Sequence, residues 1–298
     1  MNRTLPVSLI LAAATSWAIA TILTKVALHG LAPLDVLGIE LASSAVAMGS
    51  LLAARGRPFL PTAWPVFALI GVLEPGLSFG LFDFGLAHTG AADGAILIAS
   101  QSLFGVLLAR VLLGERVCAA TRAAVAVGFV GSALVGLAET GHGASLEGDL
   151  LVLAASAAAA ASGVGIRRMS AEADNLAATT TQLVAAAFVA TPIILIVDAG
   201  GGESRLGSGD WQHVFAAIAT GLLGGAVPFL AFNLAIRDLT VAHAGLILNL
   251  IPVLAAALAV VALGEQLHWP EVLGGALVVG AVSAAAMLDV RHDVSVSC

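Results

Sequence analysis

The chain has 298 residues, of which 59% are hydrophobic and only 10% charged, with a mean hydropathy of +1.03. Soluble domains carry about 25% charged and roughly 45–50% apolar residues, so this much apolar surface cannot be hidden in one water-soluble core and a membrane protein is indicated. A formal charge of −7 without a basic stretch argues against nucleic acid as a partner. Cys118 and Cys298 match no metal or redox spacing. The absence of Tyr and of long polar strand patterns excludes an outer-membrane barrel.

Apolar windows of spanning length, about 20 residues each, fall at 5–28, 34–54, 64–85, 92–113, 119–139, 147–167, 175–198, 211–236, 240–263 and 269–289. Little chain is left for any further domain. Turn residues separate them: Arg55-Gly56-Arg57-Pro58, Gly141-His142-Gly143 and Gly200-Gly201-Gly202. The start resembles a signal peptide but is read as an uncleaved first span, because its apolar run is too long for a signal core. With the N-terminus in the cytoplasm, all basic residues except Lys25 and Arg205 fall on the inner side. This places both termini in the cytoplasm. Trp64, Trp211 and Trp269 each start a span at interface depth, whereas Trp17 lies in the middle of the first.

An internal duplication is visible. Leu112-Leu113-Gly114-Glu115 closes the fourth span and Ala262-Leu263-Gly264-Glu265 the ninth, 150 positions later. The same shift places Phe79 on Phe229, Phe82 on Phe232 and Asp83 on Asn233. Nearer the start, a shift of 142 places Lys25 on Arg167 and Glu40 on Gln182. Repeats of five spans, 5–139 and 147–289, must be inverted in the membrane. Inverted repeats are a transporter device, with solute bound between them near the midplane.

Ten spans, two repeats, the paired Leu-Gly-Glu triplets, Trp17 with Lys25 eight residues on, and Gly274-Gly275 resemble the EamA type of the drug/metabolite transporter superfamily along the whole chain. The resemblance is greatest to its YddG-like members, exporters of aromatic and other neutral amino acids. It implies an all-α membrane protein of ten helices in two inverted five-helix repeats, working by alternating access. It also implies that the fifth and tenth spans lie outside the substrate path. Many family members carry an Arg in the second span where this chain has Glu40, so no substrate-anion role is transferred to that position.

Ionisable residues inside spans point to function. Glu74, which precedes Pro75, is a candidate for substrate contact or for taking up and releasing a proton. Asp83 lies nearer the outer mouth. Lys25 and Glu40, near the outer ends of adjacent spans, are expected to form a structural ion pair. Gln101 and Ser102 in the fourth span, and Asn249 before Pro252 in the ninth, offer hydrogen-bonding groups to a zwitterionic solute. Trp17, Phe79 and Phe82 offer a flat apolar wall for its side chain. Gly76-Leu77-Ser78-Phe79-Gly80 matches a hydrolase nucleophile pattern, but inside an apolar span it lacks the strand-to-helix turn that chemistry needs. No phosphate loop, metal motif or bound cofactor is implied. The expected partners are the bilayer and a small solute, most simply an amino acid, with drug cations and nucleoside-like metabolites as the alternatives.

Overall fold

The structure, a computed structural model, describes residues 4–61, 63–113, 119–136, 145–169, 174–200, 211–235 and 247–294. Among the described residues there is no strand. A helical bundle is what lipid demands of so apolar a chain, since each peptide N–H and C=O must find a partner without water. Seven helices are apolar and long enough to cross a membrane, and Ala119–Val135, Leu250–Leu263 and Trp269–Ala284 are shorter apolar helices that complete the ten expected segments. Glu115 and most of the connection into the ninth span lie outside the described residues, as do the side chains of Arg167 and Asn233.

The first two spans are single helices, α1 (Thr4–Leu28) and α2 (Pro33–Ala54). Pro33 opens α2 after an extended Ala32, and Asp35 sits in its first turn, where the helix dipole favours an acid. Past Arg55 the chain turns at Gly56, whose φ of +59° only glycine adopts without strain. The third span is broken into α3 (Trp64–Gly71) and α4 (Ser78–Ala87) by a wide turn over Val72–Leu77, in which Glu74 is extended (φ −147°, ψ 120°) ahead of Pro75. The fourth span divides at Ala99-Ser100 into α5 (Ala91–Ile98) and α6 (Gln101–Leu113). Helices α7 (Ala119–Gly136), α8 (Leu146–Met169) and α9 (Asn175–Ala199) follow, with Asp174 capping α9 through the Leu176 N–H at 3.0 Å. The eighth span is broken in turn: α10 (Trp211–Thr220) and α11 (Val227–Ala235) flank a wide turn over Gly221–Ala226. Helices α12 (Leu250–Leu258) and α13 (Trp269–Val294) close the chain.

The main helix pairings are preserved when spans one to five are exchanged for spans six to ten. Span one packs on span eight and span three on span six, while two meets seven, four meets nine and five meets ten. The closest approaches follow the same exchange. A Cβ on Gly71 would collide with the backbone of Gln182, and one on Gly221 with the backbone of Glu40. These are the positions that the two sequence shifts relate. The breaks in spans three and eight also fall at corresponding positions, 72–77 and 221–226.

Candidate functional site

A break in a membrane helix frees carbonyls that must be satisfied. At the span-eight break, α1 and α2 supply the donors. Trp17 Nε1 donates to the Gly224 carbonyl at 2.9 Å, Ser16 Oγ to that of Leu223 at 2.6 Å, and Ser44 Oγ to that of Gly221 at 2.6 Å. The indole is thereby fixed beside Phe229, with ring centroids 5.7 Å apart and nearly perpendicular, and beside Phe232 at 6.3 Å. Phe79 of α4 reaches the same group, 6.5 Å from Phe229. Four aromatic rings from spans one, three and eight therefore gather at a helix break.

A second polar assembly occupies the Lys25 end of the bundle. Lys25 Nζ donates to the carbonyls of Leu86 at 2.7 Å and Thr89 at 2.5 Å, tying α1 to the end of span three. Thr89 Oγ1 donates to Asp149 Oδ1 at 2.7 Å, which brings in α8. After span nine, Gly264 turns the chain with a φ of +71°, and Glu265 reaches the start of α5, where its two oxygens accept from the Ala91 and Ala92 N–H groups at 2.7 and 2.9 Å. A cavity of about 210 Å³ lies here, lined among others by Lys25, His29, Asp93, Glu265 and Glu271. Asp93 is buried, and its Oδ1 has no hydrogen-bond partner.

The sequence pattern of the EamA-like transporter family matches residues 4–137 and again residues 146–287. The chain belongs to the EamA-like transporter family. A probable terminal-alkyne amino-acid exporter of Streptantibioticus cattleyicolor is 28% identical over 269 residues, covering 90% of this chain and 88% of that protein. The uncharacterized transporter YyaM of Bacillus subtilis is 27% identical over 216 residues, covering 70% and 69% respectively. One solved crystal structure superposes with a TM-score of 0.70 over 96% of this chain and 98% of its own, at 20% identity, a likeness of fold.

Within this EamA-like chain the residues singled out in the sequence separate into groups. Trp17 and Phe79 meet at the aromatic cluster. Phe82 does not: it packs against α5, close to Gly94, and onto the core of spans four, five and ten. Glu74, half-buried at the span-three break, lies beside Ser162 of α8. Gln101 is half-buried at the start of α6, but Ser102 is exposed. The fully buried Ser100 and Leu103 define the inward face of that turn, and at about 100° per residue Ser102 points away from it. The buried hydroxyl is Ser100, which shares a 2.7 Å hydrogen bond with Ser132 of α7. Asn249 Nδ2 donates to Ser283 Oγ at 3.1 Å and joins spans nine and ten. Ser78 is buried, with its Oγ donating to the Ala155 carbonyl at 3.0 Å.

The expected Lys25–Glu40 ion pair is not formed. Lys25 is held by backbone carbonyls and by the field of Glu265 and Asp93. Glu40, 2% exposed, instead meets Asp83, 1% exposed. Similar depth on neighbouring spans did not place the two side chains on facing sides. Sequence reasoning did not bring Phe229 and Phe232 to the aromatic cluster, although the 150-residue shift relates them to Phe79 and Phe82. It also missed the capping role of Glu265, for which the repeated Leu-Gly-Glu triplet was the signal.

Proposed function

We propose that the protein is a secondary carrier exporting aromatic and other neutral amino acids across the bacterial inner membrane by alternating access. Its termini lie in the cytoplasm, and its repeats, 5–139 and 147–289, are inverted. The observation that carries the substrate class is the cluster of Trp17, Phe79, Phe229 and Phe232 at the span-eight break. With Trp17 and Phe229 edge to face and the other two pairs tilted, the rings offer apolar faces suited to an aromatic or bulky side chain. Backbone groups at the breaks in spans three and eight, with Glu74 and Gln101, serve the ammonium and carboxylate of the solute. The probable terminal-alkyne amino-acid exporter of Streptantibioticus cattleyicolor, related along most of both chains, supports an amino acid as the solute.

A second reading, a cationic solute, draws on the acid-rich cavity at the Lys25 end, where Asp93, Glu265 and Glu271 outnumber one lysine. Counterflow in proteoliposomes separates the two. Vesicles preloaded with phenylalanine should take up labelled phenylalanine saturably, in competition with other neutral amino acids. Folded protein that exchanges organic cations and no amino acid would overturn the amino-acid reading.

A further inference from the structure

Glu40 of α2 and Asp83 of α4 are almost completely buried within spanning helices that pack against each other, and their side chains are neighbours. Neither Glu40 Oε1 nor Asp83 Oδ2 has a conventional donor. A carboxylate only accepts hydrogen bonds, so two carboxyl groups in contact attract one another only if a proton lies between them. We propose that Glu40 and Asp83 form a proton-binding site, holding a proton between them across the α2–α4 interface and releasing it when the two helices part.

Among the described residues, no basic side chain stands in for that proton. The other titratable groups described on these elements and those packed against them are Lys25 on α1, Asp35 on α2, Glu74 before α4, Asp93 on α5, Glu147 and Asp149 on α8, Asp198 on α9 and His213 on α10; the side chains of Arg167 and Arg168 on α8 lie outside the described residues. Lys25 is engaged by the Leu86 and Thr89 carbonyls. The backbone around Glu40 is also fixed: the one Ser44 hydroxyl proton is shared between the Glu40 and Gly221 carbonyls, each 2.6 Å from Oγ, and Gly221 of the span-eight break packs directly against Glu40.

Two further observations give the site a use. Phe79, one helical turn before Asp83, packs with Leu37 and Leu41, which flank Glu40 on α2, so the same interface seats a wall ring and the carboxyl pair. The repeat shifts place Gln182 opposite Glu40 and Asn233 opposite Asp83. The second repeat therefore has two amides where the first has two acids, and an amide N–H can donate without any titratable proton. Only one of the two corresponding positions is proton-dependent by composition. That is the asymmetry a carrier needs for proton binding to bias one of its two openings. This coupling rests on the carrier reading above, whereas the proton site does not.

The test needs no substrate. Infrared spectra of the purified protein near neutral pH should contain a protonated-carboxyl C=O band. Glu40→Gln and Asp83→Asn, which supply an amide N–H in place of the shared proton, should each remove the same component of that band. The swap Glu40→Asp with Asp83→Glu keeps two carboxyls and should keep it. Absence of the band in wild type, or its persistence in both amide variants, would overturn the proposal. Loss in one amide variant alone would assign the proton to a single residue and overturn sharing. Because the readout is independent of transport, failure of amino-acid counterflow leaves this result standing, and the reverse holds equally.

Discussion

Replacing Glu265 with Ala removes two charge-assisted hydrogen bonds from the start of α5, those to the Ala91 and Ala92 N–H groups at 2.7 and 2.9 Å. The first N–H groups of a helix have no partner within it, and here they lie in a largely buried turn: Ala91 is fully buried and Ala92 nearly so. Loss of a helix cap costs about 0.5–2 kcal/mol, and stranding a buried donor costs about 1–3 kcal/mol. Glu265 is itself partly exposed, so water recovers part of this and a loss of about 2–4 kcal/mol is expected. Glu265→Gln keeps one acceptor oxygen and should lose roughly half as much. Thermal unfolding of the detergent-purified variants measures the difference. The order wild type, Gln, Ala in melting temperature is the expected result. An Ala variant as stable as wild type would show that the carboxylate does not cap α5 and that the Leu-Gly-Glu triplet serves some other purpose.

Trp17→Phe keeps an aromatic ring but leaves the Gly224 carbonyl without its donor; a loss of ~1–3 kcal/mol in stability and weaker phenylalanine counterflow are expected, read by melting and by exchange kinetics. Ser78→Ala removes one hydrogen bond, to the Ala155 carbonyl, and should cost ~1 kcal/mol in unfolding while leaving exchange in place; abolished exchange in a folded variant would refute a purely structural Ser78. Arg57→Ala breaks a 3.0 Å ion pair with Asp174 whose side chains are 61% and 30% exposed, so its melting shift should correspond to less than ~1 kcal/mol. Gly221→Leu would drive a side chain into Ser43 and the Glu40 backbone, and a sharp fall in folded yield is expected on size-exclusion chromatography.

The helical bundle was legible because lipid makes one rule dominate: a run of about 20 apolar residues must be a helix. The duplication was legible at Glu265 and at the Phe79/Phe229 pair, since both repeats had kept the residue type. What could not be read was facing. Lys25 and Glu40 sit at similar depth on neighbouring helices, yet a rotation of about 100° per residue decides whether such side chains meet, and apolar sequence all round a helix gives no moment from which to infer it. The exposed face of Ser102 and the packing of Phe82 on α5 likewise depend on helix rotation, which depth alone does not give. The span-three break was half legible, because Pro75 marks it, whereas Gly221–Ala226 carries no proline to mark the break in span eight.

The two breaks show why the repeats correspond in backbone but not in chemistry. In span eight, the freed carbonyls of Gly221, Leu223 and Gly224 are met by Ser44, Ser16 and Trp17, donors that never titrate near neutrality. In span three, the corresponding turn carries Glu74 and Pro75, and the α4 helix that follows presents Asp83 to Glu40. Both turns occupy nearly the same position in their repeats. One is bridged by permanent donors, and the other carries an acid. In the carrier proposed above, that acid and the Glu40–Asp83 pair would let a proton favour one opening over the other.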